Sequence, residues 1–342
     1  MDSTTPPRTD IDWASLGFSY TPVRSHIRYT WKNGAWSEGV LSGDHTITMS
    51  IAATCLHYGQ AAFEGLKAFR CKDGRVCVFR PWENHKRMNR TVHQLLAPEI
   101  PEEMFLDAVR RVVRDNIDYI PPYGSGGSLY IRPLHVGTGP RIGVQPADQY
   151  DFLILVTPVG AYYKDGLHGV PSMIVEDFDR AAPLGMGQFK VAGNYGASLM
   201  PAKLAKLKGF PIPLFLDPRE HKYIDEFGTS NFLAISKDGR YVTSDSASIL
   251  PSVTNMSLMQ MARDLGITVE KRKIEVGELA DFAEVDACGT AVVITPISSI
   301  TYGEKVFEYG KECGPVSKKL YDRLTGIQHG EVADEHGWLF EV

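Results

Sequence analysis

The chain has 342 residues, 43% of them apolar and 23% charged, with a formal charge of -5; this is an ordinary globular composition, long enough for two hydrophobic cores. No run of Lys or Arg forms a stripe that could track phosphates, and no stretch of about eighteen uncharged apolar residues exists to span a bilayer, so nucleic acid and membrane are both set aside. The five cysteines are scattered with no CxxC pair among them, which fits a reducing cytoplasm, and without clustered ligands no metal is expected; Cys55 with His57 is the closest approach to a site.

Residues 1–10 carry Pro, Thr and Asp but neither an apolar core nor an Arg-rich amphipathic pattern, and are expected to be a disordered tail rather than a targeting leader. Helical spacing follows in two places: Met88, Val92, Leu95 and Leu96 predict a helix over 83–96, and Val109, Val112, Val113 and Ile117 predict one over 107–120. Short apolar or alternating runs predict strands at 128–136, 151–156, 231–236, 266–274 and 290–295. Between Phe232-Leu-Ala-Ile235 and Tyr241-Val-Thr243 lies Asp238-Gly239, a tight-turn pair that predicts a hairpin and hence some antiparallel pairing. The class is mixed α/β. Residues 159–171, rich in Gly and Pro, read as a connector between a smaller N-terminal domain, 11–158, and a larger C-terminal domain, 172–342.

Lys190 stands in Gly187-Gln-Phe-Lys-Val-Ala-Gly-Asn-Tyr-Gly196, where small residues let the backbone approach a bulky group and Asn194 can open a helix. Flanked by Phe189, Val191 and Ala192, its amine is expected to lose hydration, which lowers its pKa and makes it a nucleophile; taken alone, it also reads as a surface lysine. Tyr195 reads either as a hydroxyl able to hydrogen-bond a cofactor phenolate or as a core tyrosine.

Lys190-Val-Ala-Gly-Asn-Tyr-Gly196 resembles the cofactor-lysine motif of branched-chain aminotransferases, enzymes of fold type IV that use pyridoxal phosphate (PLP). The resemblance continues through Leu56-His-Tyr-Gly-Gln-Ala-Ala-Phe-Glu-Gly-Leu-Lys-Ala-Phe69, Phe79-Arg-Pro-Trp-Glu-Asn-His-Lys-Arg-Met88, Ser128-Leu-Tyr-Ile-Arg-Pro133, Ile224-Asp-Glu-Phe-Gly-Thr-Ser-Asn-Phe232, Ile249-Leu-Pro-Ser-Val-Thr254, Gly289-Thr-Ala291 and His336-Gly-Trp338, nearly the whole chain. It implies a two-domain α/β fold of that type in a homodimer, with Lys190 forming the Schiff base to the cofactor and then shuttling the Cα proton.

The same resemblance implies that Glu226 pairs with the pyridine nitrogen and keeps it protonated, with Asp225 the competing carboxylate. Arg87 would hold the phosphate, although alone it reads as a helix-surface charge. Ser252, Val253 and Thr254, following Pro251 at the start of a helical pattern, would supply backbone N–H groups to that anion, with the Thr290 hydroxyl assisting. On the substrate side the resemblance puts the α-carboxylate near Thr290 and Ala291, with Thr229 among the binding residues, and turns Tyr130 and Arg132 toward the side-chain pocket. Phe18, Tyr58 and Tyr162 are the aromatic candidates, Tyr58 coming from the neighbouring subunit. Arg132 would then receive the γ-carboxylate of glutamate in a pocket that also takes leucine, isoleucine or valine.

Three positions depart from the family's pattern. Val292-Val-Ile294 stands where some members have a CxxC redox pair, Phe227 is larger than the residue usual there, and Pro201 falls inside an expected helix. The expected activity is ping-pong transamination of branched-chain amino acids with 2-oxoglutarate. A D-amino acid aminotransferase or PLP-dependent lyase of the same fold is the alternative within the family, and a non-catalytic PLP-carrying protein the alternative outside it.

Overall fold

From Ser128 to Arg132, in the strand Ser128–Gly137, the apolar Leu129 and Ile131 alternate with Ser128, Tyr130 and Arg132, so that the two sets of side chains lie on opposite faces. That strand pairs over ten residues with Gln149–Val159 and is the centre of the first sheet. The computed structural model describes residues 5–161 and 166–342, and the chain divides into two compact units.

The first unit comprises Met1–Tyr162, Phe189–Gly193 and Gly326–Val342. Its sheet is antiparallel, in the order Leu339–Glu341, Val76–Phe79, Leu66–Arg70, Ser128–Gly137, Gln149–Val159, His26–Lys32, Ala35–Trp36, with Ala61–Phe63 beside Ser128–Gly137 and Val40–Ser42 beside His26–Lys32. Three helices belong to this unit, α1 (Thr54–Tyr58), α2 (Pro81–Gln94) and α3 (Glu102–Asp115). Met88 and Val92 of α2 and Phe105, Val109 and Val112 of α3 pack with Leu66, Ala68, Leu129, Ile131, Phe152 and Ile154 in one core. Each such side chain contributes about 1.5–3 kcal/mol on burial. The helix expected over 83–96 begins two residues earlier, because Pro81 is preset for the first helical position. The one expected over 107–120 begins at Glu102 and ends at Asp115, followed by a 3-10 turn at Ile117–Tyr119.

The second unit comprises Tyr163–Gln188 and Asn194–Thr325. Its strands run in the order Ile224–Phe227, Ile212–Leu216, Val170–Val175, Val293–Tyr302, Phe282–Gly289, Ser230–Ser236, and Ser230–Ser236 pairs again with Ile224–Phe227, closing a ring. Tyr241–Ser244 and Val269–Arg272 extend it, and Lys305–Glu308 lies beside Val293–Tyr302. The pairings are mixed, parallel where Val170–Val175 meets Ile212–Leu216 and Val293–Tyr302 and where Tyr241–Ser244 meets Val269–Arg272. The Asp238-Gly239 turn forms as the pair requires, with Gly239 at φ 86° and its N–H on the Ser236 carbonyl at 2.8 Å. Phe227 is fully buried and stacks on Phe232 with ring centres 5.9 Å apart, so the larger residue there is a core side chain. The strands expected at 266–274 and 290–295 are shifted, to Val269–Arg272 and Val293–Tyr302. Four more helices follow, α4 (Ala192–Ala197), α5 (Leu199–Leu207), α6 (Val253–Asp264) and α7 (Pro315–Gln328). Pro201 has no N–H to offer the Ala197 carbonyl, and the helical run is broken at Ser198, between α4 and α5.

Two expectations about organisation are corrected. Residues 172–342 are not one domain, because Phe189–Gly193 and Gly326–Val342 belong to the first unit. The Phe63 N–H bonds the Lys190 carbonyl at 3.1 Å, and Leu339–Glu341 adds a strand to Val76–Phe79. Nor are residues 5–10 a loose tail: the Arg8 N–H donates to the Asp118 carbonyl at 2.9 Å, its guanidinium reaches the Tyr119 hydroxyl at 3.1 Å, and Arg70 donates to the Thr5 carbonyl at 3.2 Å. Of the connector expected at 159–171, residues 162–165 lie outside the described residues.

At the start of α7 the Glu284 carboxylate accepts the N–H groups of Val316 and Ser317 at 3.0 and 2.8 Å. Asp286 below it accepts the Ser317 hydroxyl at 2.6 Å, and burial pushes its carboxyl up from 3.8 to about 8. Between those values the folded chain holds a proton that the unfolded chain has lost, so stability falls as pH rises through this window. Asp286→Asn should remove that fall: its melting temperature relative to the parent protein should increase from about pH 5 to about pH 8. Parallel curves would show that Asp286 titrates normally.

Candidate active site

In the first unit, Leu66 pairs with Ile131 and Lys67 with Tyr130 across adjacent strands. Since Leu66, Leu129 and Ile131 face the core, the alternation turns Gly65, Lys67, Tyr130 and Arg132 to the opposite face. Tyr130 lies over Gly65, where any Cβ would collide with its hydroxyl. That hydroxyl accepts from Arg132 Nη2 at 2.9 Å. The Arg132 guanidinium sits 4.8 Å from the Phe63 ring centre and 5.2 Å from that of Tyr130, and Phe18 meets Tyr130 edge to face at 5.0 Å. No carboxylate lies within ion-pair distance of Arg132 among the described residues, and its buried Nε has no hydrogen-bond partner there.

Lys190 is fastened to the same unit through its backbone. Its N–H donates to the Thr91 hydroxyl of α2 at 3.1 Å, its carbonyl accepts from Phe63, and Val191 bridges to Ala62. Its Nζ stands 4.8 Å from the centre of the Phe63 ring. Although the residue is only half-buried overall, its ammonium end is crowded by protein. Burial, with the nearby Arg87 and Arg132 guanidinium groups, pushes it down to about 8, against the opposing pull of Glu64 and Tyr130. Burial alone pushes the Lys67 ammonium to about 8 as well. Arg87 is not a helix-surface charge. Its Nε and Nη2 each meet a separate oxygen of the fully buried Glu64 carboxylate at 2.7 Å, and Asn84, one turn earlier on α2, donates to Glu64 at 2.8 Å. Arg87 holds the Glu64 carboxyl below its usual range in spite of the burial.

In the second unit the tight hairpin Phe227 to Ser230 sets Glu226 directly across from Asn231, whose amide donates to Glu226 at 3.0 Å. The Leu250 N–H reaches the other carboxylate oxygen at 3.3 Å, and Arg180 Nε lies 2.7 Å from that same oxygen. The Arg180 N–H is not aimed at it, so this contact is a charge pair rather than a straight hydrogen bond. Arg180 also donates to the carbonyls of Gly187 and Ser248, and Gly187 must be glycine because a Cβ would run into the Ser248 backbone. Asp225, the competing carboxylate, takes the Ser248 hydroxyl instead, and burial raises its carboxyl. Ser252 caps α6, its hydroxyl accepting the Asn255 N–H at 3.2 Å. Ser252, Val253 and Thr254 are all buried, and the first-turn N–H groups have no carbonyl one turn back to bond.

The remaining expected residues fall as follows. Tyr195 is a half-buried residue of α4, Thr229 is the exposed tip of the Glu226 hairpin, and Thr290 and Ala291 form the turn after Phe282–Gly289. Two residues on from that turn, Val293 adopts φ 64°, a left-handed conformation that costs a β-branched residue about 1–2 kcal/mol. Tyr58 ends α1, exposed, with its hydroxyl on the Ile142 carbonyl and not among the Phe18, Tyr130 and Arg132 group. Tyr162 lies outside the described residues. Glu64, Asn84, Arg180 and Asn231 had no role in the sequence reading. Glu64 alone had a signal, as the one charge in Ala61-Ala-Phe-Glu-Gly-Leu66.

Residues 61–300 match the amino-transferase class IV family. The chain is 46% identical to a branched-chain-amino-acid aminotransferase of Haemophilus influenzae, over 97% of this chain and 99% of the relative, and 44% identical to one of Helicobacter pylori, over 98% and 99%. Among solved structures, a branched-chain aminotransferase of Escherichia coli superposes with a TM-score of 0.76 at 30% identity, covering 91% of this chain and 98% of the other. The chain belongs to the class IV aminotransferases, which are PLP enzymes.

With Arg180 and Glu226 both buried, Arg180→Met removes the opposite charge beside that carboxylate and should cost about 3–5 kcal/mol in urea unfolding of the cofactor-free protein. Adding Glu226→Gln should restore part of that loss. A single variant as stable as the parent would mean that Glu226 does not depend on this pair.

Proposed function

We propose that this chain is a PLP-dependent branched-chain aminotransferase, exchanging the amino group of L-leucine, L-isoleucine or L-valine with 2-oxoglutarate. The observation that carries the chemistry is the Lys190 amine, pushed to about 8 by burial and by the Arg87 guanidinium. When bound, PLP supplies an aldehyde for an amine and a ring that accepts the electron pair released at the substrate Cα. The residues present fit such a group. Lys190 offers an amine with a substantial neutral fraction near neutral pH, suited to attach the aldehyde and to take the Cα proton. Glu226, which lies beside Arg180 and accepts from Asn231, is a carboxylate suited to a protonated ring nitrogen. Arg87 and the buried start of α6 at Ser252, Val253 and Thr254 suit a phosphate, with the Thr290 hydroxyl beside them in role and Tyr195 serving the ring hydroxyl.

For substrate, Arg132 lacks a carboxylate among the described residues and stands beside Phe63, Tyr130 and Phe18. Such surroundings accept an aliphatic side chain against the rings and the γ-carboxylate of glutamate against the guanidinium. Thr290, Ala291 and Thr229 are assigned to the α-carboxylate end, and Tyr162 keeps the role the resemblance implies. Exposed Ile51, Leu56, Tyr58, Ile142 and Val144 sit on two segments joined by the Arg141 to Ala52 and Tyr58 to Ile142 hydrogen bonds. This supports a homodimer that brings Tyr58 to the neighbouring site. No helix among the described residues is long and apolar enough to cross a membrane. The five free cysteines support the reducing cytoplasm as the compartment. No observation favours the D-amino acid, lyase or non-catalytic readings.

Two variants test the assignment through the half-reactions with leucine and glutamate, read separately by cofactor absorbance. Lys190→Ala should abolish both, and near-native rates without added amine would remove Lys190 from the chemistry. Arg132→Met should slow the glutamate half-reaction about 100-fold, the consequence of leaving a buried carboxylate unpaired by some 3 kcal/mol, while leucine changes little. Equal losses with both amino acids would reject Arg132 as the glutamate anchor.

A further inference from the structure

We propose that Glu64 is a positioning residue for the cofactor's phosphate: its buried carboxylate clamps one edge of the Arg87 guanidinium, through Nε and Nη2, and so fixes the direction in which the third nitrogen, Nη1, points. The inference rests on Arg87 being the phosphate's arginine, as assigned above. Glu64 is fully inaccessible to solvent. One of its oxygens accepts Arg87 Nε at 2.7 Å, and the other accepts Arg87 Nη2 at 2.7 Å, Asn84 Nδ2 at 2.8 Å and the Gly65 N–H at 3.2 Å. A parallel fork of this kind fixes both the plane and the rotation of a guanidinium, which a single contact does not. The clamp is itself held: Glu64 is followed by Gly65, where a Cβ would strike the Tyr130 hydroxyl, and its own N–H is bonded to the Pro133 carbonyl at 2.9 Å. Asn84 and Arg87 lie three residues apart, on one face of α2, so one helix face meets one carboxylate at two points.

The clamp opposes phosphate binding as well as aiding it. A carboxylate beside Arg87 cancels part of the positive charge that an anion would feel, so on charge alone its removal would tighten phosphate binding. On geometry it would loosen it. A charge-assisted fork restrains an otherwise flexible side chain, and in Glu64→Gln the amide nitrogen would face a guanidinium N–H, donor against donor, freeing the plane. The structure favours the geometric effect because two further contacts besides the arginine's own, from Asn84 Nδ2 and the Gly65 N–H, hold the carboxylate in place.

The experiment measures dissociation constants of PLP and of pyridoxal, which lacks the phosphate, with the full-length chain stripped of cofactor. The ratio of the pyridoxal constant to the PLP constant isolates the phosphate's contribution and is insensitive to a general loss of stability. Glu64→Gln should reduce that ratio about 10-fold or more through weaker PLP binding, with pyridoxal affected far less. Arg87→Lys should reduce it similarly, and the double variant no further than the larger single loss. If Arg87→Lys leaves the ratio unchanged, the assignment of Arg87 to the phosphate fails. If Arg87→Lys lowers it while Glu64→Gln leaves it unchanged or raises it, the positioning role alone is overturned. Should Glu64→Gln not be recovered folded, Asn84→Ala decides: a smaller reduction of the same ratio supports the role, and an unchanged ratio overturns it.

Discussion

Removing one partner of a buried ion pair strands the other charge in surroundings that hydrate it poorly, at a cost of about 3–5 kcal/mol, and the pair of Arg87 with Glu64 ties the environment of Lys190 to this constraint. The lysine needs an environment dry enough to weaken its hold on a proton. Dryness also threatens every other charge in the neighbourhood. Arg87 can stand beside it because Glu64 holds the guanidinium with a geometry that only a buried fork maintains. The backbone of Lys190, pinned between Thr91 and Phe63, leaves the side chain little freedom to escape toward water.

The second unit solves the same problem with different parts. Glu226 lies on a strand of a closed sheet, is paired with Arg180 and faces Asn231 across a two-residue turn. Arg180 in turn bonds two backbone carbonyls, at Gly187 and Ser248, that come together only because residue 187 has no side chain. An opposite charge and a donated amide offset what a carboxylate loses on leaving water. Among the described residues, Val293 takes a left-handed φ of 64° at the start of its strand, two residues on from Ala291.

Much of this was legible beforehand. Periodicity located both long helices of the first unit, and the Asp238-Gly239 pair its hairpin, because these signals are local: a turn needs one glycine at positive φ, and a helix face needs apolar residues one turn apart. Alternation put Tyr130 and Arg132 on one strand face, where the structure has them. Element ends were displaced by a few residues, as at Pro81 and Glu102, since capping by a preset proline or by acidic residues competes with apolar spacing. Pro201 was expected to disturb a helix, and the interruption falls at Ser198, just upstream of the proline.

The order of residues by itself determined the family and the mixed α/β class, and it offered Lys190, Glu226, Arg87 and Arg132 as candidate groups, because each lies in a short motif that resembles the family's. It did not determine which unit each belongs to. Residues 189–193 and 326–342 join the first unit through strand pairing and backbone hydrogen bonds made with segments more than a hundred residues away, and nothing local in their sequence records those partners. The same holds for Glu64 and Arg180. A lone acidic or basic residue reads as a solvated charge until folding removes the water around it, and only the tertiary structure, by burying each beside one opposite charge, made them the supports of Arg87 and Glu226.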